Sequence, residues 1–341
     1  MLLCGPQPTE SGMPDRHGKI TAVKTNPRPT HRRRARLLGA LAATVVLLAG
    51  CGLRLETPPP ASPTPDASEV ARQRASADSL GLEALAAPAG PTDPVTAARA
   101  LIAQQAGEHL AQLGPGRPAS TAASSAPASP TPSVSTPDAV VAQVVAAAAN
   151  ARKDAAAVPD GPLARLLGSV STARLLQARA LATAAGLPAP DLPAVTVPRA
   201  VPAGLAPSAV SALVADEDEA GYADEVIAAK VPEPARSGAL NRAAVHRDRA
   251  ERWATIAQIA QTGRDPRRTA YALGPLDDPA VATALAATLE SSLAATYASL
   301  SADATPDARL VLLDALTDAA AAATAWGAPV AAFPGLPERA R

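Results

Sequence analysis

The chain has 341 residues, of which 48% are hydrophobic but only 2% are aromatic, and its 31 basic and 31 acidic side chains balance. A hydrophobic content supplied by alanine, leucine and proline favours closely packed helices and argues against a β-sandwich, which needs β-branched and aromatic residues.

The first informative feature along the chain is a basic segment that precedes a short apolar run. Four arginines lie between positions 32 and 36, and residues 37–50 are apolar. This run is shorter than the ~20 residues that a bilayer-spanning helix needs. It ends in Leu-Ala-Gly-Cys at 48–51, which fits the bacterial lipobox at all four positions. We therefore predict a lipoprotein signal peptide with an extended N-terminal region over residues 1–50.

Cys51 would become the first residue of the mature protein and carry a thioether-linked diacylglycerol and an amide-linked acyl chain. Two or three chains anchor a protein stably where one does not. The predicted location is the extracytoplasmic side of the cell membrane, with the membrane itself as a partner. Cleavage by an ordinary signal peptidase and free secretion is the alternative, and the export route (general or twin-arginine) stays open.

Cleavage would change the charge and the cysteine content. Residues 1–50 hold eight basic and two acidic side chains, so the mature chain keeps 23 basic and 29 acidic ones, a net charge of about −6. That argues against nucleic acid as a partner, because phosphate neutralisation needs clustered positive charge. Cys4 leaves with the signal and Cys51 is lipidated, so no disulfide and no thiolate metal site is expected.

A proline-rich tether over residues 51–66 separates the lipid from the first helix. Its five prolines predict an extended spacer of roughly 35–45 Å at ~3.1 Å per residue.

Eight helical segments follow, and no segment alternates with period two for long enough to suggest a strand. Four of them begin with a capping residue followed by proline, whose missing N–H has no partner at the first helical position. These starts are Asp93-Pro94, Thr136-Pro137, Asp278-Pro279 and Thr305-Pro306. The predicted helices cover about 67–80, 94–113, 137–157, 162–185, 207–230, 236–262, 279–302 and 306–326.

The expected fold class is all-α, with no β-sheet and with two helical regions. A looser N-terminal bundle covers 67–186 and contains a disordered insert at 115–135, which is rich in serine, alanine, threonine and proline. A proline-rich linker at 187–206 leads to a four-helix bundle at 207–327. Residues 328–341 form an extended C-terminal tail.

Each helix of the C-terminal bundle carries a polar residue within or beside its apolar face. Glu217 and His246 fall inside the apolar stripes of the first two helices, Glu290 lies at the edge of the third, and Asp318 lies on an adjoining face of the fourth. Inward-facing polar groups from four antiparallel helices are how ferritin-like bundles build carboxylate metal sites.

Several short motifs occur in order between residues 213 and 337: Glu217 with Tyr222, His246-Arg247-Asp248-Arg249, Tyr271-Ala272-Leu273, Leu289-Glu290, Leu316-Thr317-Asp318-Ala319-Ala320, Trp326-Gly327 and Phe333-Pro334-Gly335. Through them the chain resembles the actinobacterial ferritin-like domain of unknown function that is found in alanine-rich lipoproteins. The resemblance implies a four-helix ferritin-like fold and a cell-envelope location, and it implies no established activity.

The metal ligands of a di-iron bundle are incomplete in this sequence. Such a site needs two Glu-x-x-His pairs, but Ala243 stands three residues before His246, and the fourth helix has no histidine. Glu217, His246, Glu290 and Asp318 are therefore candidate ligands for one incomplete metal site. We expect no cofactor, with Glu217 and His246 or Arg247 forming a buried hydrogen-bonded pair. A bound iron or manganese ion is the alternative.

No nucleophile elbow, phosphate-binding loop or dinucleotide-binding glycine pattern is present in the sequence. We therefore predict a non-enzymatic binding or structural module of the cell envelope, whose partner is a protein or a small molecule. The alternative function is a metal-binding redox or storage-type protein that uses the C-terminal bundle.

Overall fold

Eight α-helices and two short 3-10 turns make up the described part of the chain, which comprises residues 64–87, 93–116 and 135–339 of a computed structural model. The helices are α1 (Ala67–Leu85), α2 (Pro94–Leu113), α3 (Pro137–Ala157), α4 (Gly161–Ala184), α5 (Pro207–Ala228), α6 (Ala235–Ile256), α7 (Pro279–Asp303) and α8 (Leu310–Ala325). These residues contain no strand, which confirms the all-α prediction for them. The predicted signal peptide, nearly all of the predicted tether and most of the predicted insert lie outside the described residues.

The aspartates cap their helices as predicted, whereas the two threonines precede helical turns at the predicted positions but form no capping hydrogen bond. Asp93 and Asp278 each accept a backbone N–H at 2.8 Å from the first turn of their helices. The prediction is wrong for Thr136 and Thr305, whose side chains make no capping hydrogen bond. The Thr136 hydroxyl bonds the carboxylate of Asp138 instead. At these two positions, the start signal is therefore the proline that follows the threonine.

The helix predicted over 236–262 ends earlier, at Ile256. Gln258 adopts a left-handed backbone conformation with φ of 57°. Its N–H bonds the carbonyl of Thr255, and the N–H of the next residue bonds the carbonyl of Ala254, both at 3.0 Å. These two bonds form a Schellman motif, which usually has glycine at this position. A glutamine in that role gave no stop signal in the sequence.

The last predicted helix, 306–326, begins with a 3-10 turn, and the α-helix starts at Leu310. Between them lies Arg309, which is 2% exposed. Its guanidinium donates to the carbonyl of Ser301 at 2.8 Å and to that of Val158. The buried arginine therefore satisfies carbonyl groups at the C-terminal ends of both α7 and α3, which would otherwise lack partners.

Consecutive helices pack in pairs, α1 with α2, α3 with α4, α5 with α6 and α7 with α8, and α4 also contacts α2, α7 and α8. One cluster of buried side chains runs from Ala71 in α1 to Leu336 near the C-terminus. The two helical regions separated by the predicted linker therefore share one hydrophobic core. Linker residues take part in it, since Leu192, Val195, Val197, Val201 and Leu205 pack against that core.

The predicted C-terminal tail is packed against helices from both halves of the chain over residues 328–339. Phe333 and Leu336 are buried in the core. Gln105 of α2 donates to the carbonyl of Val330 at 2.7 Å, and Ser169 of α4 donates to that of Pro334 at 2.7 Å. This C-terminal segment therefore joins the N-terminal helices to the α7–α8 pair.

Gly335 shows how tightly the C-terminal segment is packed. Its φ is +78°, and an added Cβ would lie 2.7 Å from the Ala294 carbonyl oxygen and 2.8 Å from a methyl of Leu316.

We predict that Gly335→Ala lowers the free energy of unfolding by roughly 2–4 kcal/mol, from left-handed strain and overpacking together. Gly186→Ala is the matched control, because Gly186 has φ +65° in open space. It should cost only about 1 kcal/mol. Equal losses in urea unfolding would contradict the packing argument.

A buried network around His246

Spacings of three, four and seven residues place polar side chains on the inner faces of the four C-terminal helices. The set comprises Glu217 and Asp224 of α5, Arg242, His246 and Arg249 of α6, Glu290 and Tyr297 of α7, and Asp318 of α8. We call these eight residues the His246 network.

His246 lies between two carboxylates from different helices. Its Nδ1 donates to an oxygen of Glu217 at 2.6 Å, and its Nε2 is 3.2 Å from Oε1 of Glu290. The hydroxyl of Tyr297 donates to the other oxygen of Glu217. His246 and Glu217 have no solvent exposure. The pairing of Glu217 with His246 therefore has the geometry expected from the sequence, and Glu290 joins it.

The guanidiniums of Arg242 and Arg249 bond the network carboxylates of α7 and α8. Arg242 donates to both oxygens of Glu290, in one case at 2.9 Å, and also to Oδ2 of Asp318 at 2.8 Å. Arg249 donates to the same oxygen of Asp318 at 2.7 Å. Of the four sequence-predicted candidates, three meet at His246, while Asp318 is placed beyond Arg242. Asp318 also lines a groove of about 650 Å³ between α4 and α8.

Four network residues were not among the sequence-predicted candidates: Asp224, Arg242, Arg249 and Tyr297. Asp224 is the acidic one. It is 3% exposed, and within the described residues its carboxylate accepts no hydrogen bond. Its Oδ2 lies 3.7 Å from Nε2 of His246. The signal that could have found it is its position seven residues after Glu217, which returns to the same helix face.

Burial and neighbouring charges compete in setting the protonation of these groups. Burial alone would lower the pKa of His246, but the hydrogen bonds and charges of Glu217 and Glu290 outweigh it and raise that pKa to about 9. Burial raises the pKa of Asp224 to about 7, although the charge of His246 opposes it. For Glu290 the effect of burial is outweighed by His246 and Arg242, so its pKa is lowered.

The second half of a di-iron centre does not fit this arrangement. The guanidinium of Arg242 engages both oxygens of Glu290 and one of Asp318, and Arg249 engages Asp318 as well. Two guanidiniums therefore engage the carboxylate of Asp318, which a second metal ion would need. Ala243 in α6 supplies no ligand, and α8 contains no histidine.

A family described as a domain of unknown function (DUF4439) matches residues 209–338, which hold α5 to α8 and most of the C-terminal segment. The domain of unknown function expected over 213–337 is thereby found, and it contains the whole His246 network. No match is found among curated proteins or solved structures.

The network gives a direct test of buried ion pairing. We predict that Arg242→Gln lowers the free energy of unfolding by roughly 3–5 kcal/mol, because buried Glu290 would lose the guanidinium that bonds both of its oxygens. Arg252→Gln is the control, since the pair of Arg252 with Asp248 is 61% and 57% exposed. It should cost less than about 1 kcal/mol in the same denaturant titration. Similar losses for the two variants would show that the network is not closed to water.

The other histidine of the described residues, His109 in α2, lies outside the network. Its Nε2 donates to the carbonyl of Ala332 at 2.7 Å, and its ring meets Phe333 edge to face. Burial, with a smaller effect from the charge of Arg174, lowers the pKa of His109 to about 3. His109 is therefore a neutral side chain that binds the C-terminal segment through one hydrogen bond and one ring contact.

A depressed histidine pKa makes stability fall on acidification. Below pH 6.5 the unfolded chain binds a proton at His109, whereas the folded chain does so only near pH 3. The free energy of unfolding should therefore fall by roughly 2 kcal/mol as the pH is lowered from 6.5 to about 5, at ~1.36 kcal/mol per pH unit. His109→Gln should lose less stability over that range when melting temperatures are compared. Parallel curves for wild type and variant would contradict the assignment.

Proposed function

We propose that this protein is a lipoprotein of the actinobacterial cell envelope, held by lipid on Cys51 at the extracytoplasmic face of the membrane. The observation that carries the proposal is the order of four arginines, a 14-residue apolar run and Leu-Ala-Gly-Cys at 48–51. This order is what lipoprotein export requires: a positive segment, an apolar segment too short to span, and small residues before the lipidated thiol.

The start of the folded part supports a tethered arrangement. α1 begins at Ala67, and Asp66 caps it by accepting the N–H of Glu69 at 2.8 Å. The residues between Cys51 and this cap include five prolines, a composition that gives an extended spacer. Among the described helices, none is long and apolar enough to cross a membrane.

For the folded part we propose a ferritin-like four-helix bundle that serves as a non-enzymatic binding or structural module. The pairing of α5 with α6 and of α7 with α8, together with the contact of α5 with α7, supports such a bundle. Most inward charges have partners within the protein: three carboxylates of the network are paired with three cations, His246, Arg242 and Arg249. Such pairing fixes helix register without any chemistry.

A second candidate function is metal binding, as a redox or storage-type protein for iron or manganese. The observation that favours it is the meeting of His246 with carboxylates from α5 and α7 in one buried place. Imidazole with carboxylates is a ligand set that divalent iron and manganese accept.

The lipid anchor is tested by Cys51→Ser in the full-length chain, expressed in an actinobacterial host and followed by detergent phase partitioning and fatty-acid labelling. We expect wild type in the detergent phase with label, and the variant either unprocessed or released to the medium. Cys4→Ser is the matched control and should behave as wild type, because Cys4 precedes the cleavage site. Normal cleavage and membrane retention of Cys51→Ser would overturn the proposal.

A further inference from the structure

We infer that Asp224, His246 and Glu290 form a mononuclear site for a divalent transition-metal ion, with Glu217 orienting the histidine. The inference rests on the second candidate function above and is independent of the lipid anchor. It differs from the sequence expectation in its ligands, because Asp224 enters the site and Asp318 does not.

The three ligand atoms have the mutual spacing of groups that surround one ion. Nε2 of His246 lies 3.2 Å from Oε1 of Glu290 and 3.7 Å from Oδ2 of Asp224, and each of the three residues offers a ligand atom within 4.8 Å of the others. Ligands at about 2.0–2.2 Å from a tetrahedral ion are roughly 3.3–3.6 Å apart. Small side-chain rotations would therefore bring all three onto one centre.

Asp224 supplies an independent reason to expect a cation. Its carboxylate is buried beside that of Glu290, yet within the described residues it accepts no hydrogen bond. The contact with His246 at 3.7 Å is longer than a hydrogen bond. Burying a carboxylate that accepts no hydrogen bond is costly, and an ion between Asp224 and its neighbours would lower that cost.

The surroundings of His246 match the outer shell of a metal ligand. A ligating histidine commonly donates its second N–H to a carboxylate, which fixes the tautomer and turns the free nitrogen to the metal. Here Nδ1 donates to Glu217 at 2.6 Å, and Tyr297 holds Glu217 in turn. Arg242 orients Glu290 by donating to both of its carboxylate oxygens, including the one that faces His246. These contacts leave Nε2 facing Asp224 and Glu290.

Charge favours a divalent ion in this place. The four carboxylates of the network face two guanidiniums, those of Arg242 and Arg249. When His246 is neutral, one divalent cation brings the total formal charge of these carboxylates and guanidiniums to zero. On binding, the Nε2 proton of the imidazolium leaves to solvent and the nitrogen electron pair is donated to the metal.

The ligand types narrow the choice of metal. One imidazole nitrogen with two carboxylate oxygens suits Zn²⁺, Mn²⁺ or Fe²⁺. Mg²⁺ and Ca²⁺ prefer all-oxygen sites with six or more ligands. Three protein ligands leave at least one position for water.

The test is a binding titration of the full mature protein in detergent after EDTA treatment, with Zn²⁺ and Mn²⁺ as probes and elemental analysis of the dialysed protein. We expect one ion per chain, a higher melting temperature with metal, and no comparable effect of Mg²⁺. Asp224→Asn should weaken Zn²⁺ binding by at least about 100-fold, and Glu217→Gln by roughly 10–100-fold. Asp216→Asn is the matched control, because Asp216 bonds Thr296 outside the network, and it should bind as wild type.

Three results would overturn the inference: a cooperatively folded wild type that binds neither ion, two ions per chain, or unchanged Zn²⁺ affinity in Asp224→Asn. If Asp224→Asn does not fold, the Glu217→Gln titration decides in its place, and unchanged affinity there would contradict the orienting role. Cys51→Ser protein should bind metal as wild type does, so a failure of the anchor and a failure of the site are distinguishable.

Discussion

The C-terminal half depends on one contact, in which a buried imidazole lies between two carboxylates. Glu217 of α5 and Glu290 of α7 reach His246 of α6 from opposite sides, at 2.6 and 3.2 Å. Isolated buried charges are expensive, and paired ones are tolerated only with good geometry. A sliding of any of these helices by one turn, about 5.4 Å, would separate the partners. The network therefore fixes the helix register, which apolar alanine faces alone specify poorly.

This constraint extends to the N-terminal helices through packing. The C-terminal segment lies between α7 and α8 on one side and α2 and α4 on the other, with side chains of Gln105 and Ser169 bonding its carbonyls. α4 contributes residues to the same hydrophobic cluster as α7 and α8. A protein whose core is largely alanine gains little from each buried side chain, so buried hydrogen bonds to backbone carbonyls complete the join between the two halves.

Much of the fold could be predicted from the sequence because proline and aspartate mark the helix starts. The start of α7 followed from Asp278 and the proline after it, whereas the end of α6 did not, because a glutamine takes the left-handed position. Three of the four candidate site residues meet in space since helical periodicity places them inward. Asp318 was misjudged because its neighbours, Arg242 and Arg249, come from another helix. Asp224 was missed because an acidic side chain within a partly acidic helix resembles a solvated residue.

The most direct measurement is a crystal structure of Mn²⁺-treated protein with anomalous diffraction at the manganese edge. We expect a single peak bounded by Oδ2 of Asp224, Nε2 of His246 and Oε1 of Glu290, each at about 2.0–2.2 Å, with Nδ1 of His246 still bonded to Glu217. An ordered core with no peak, in which His246 bonds both glutamates and Asp224 stays apart, would contradict it.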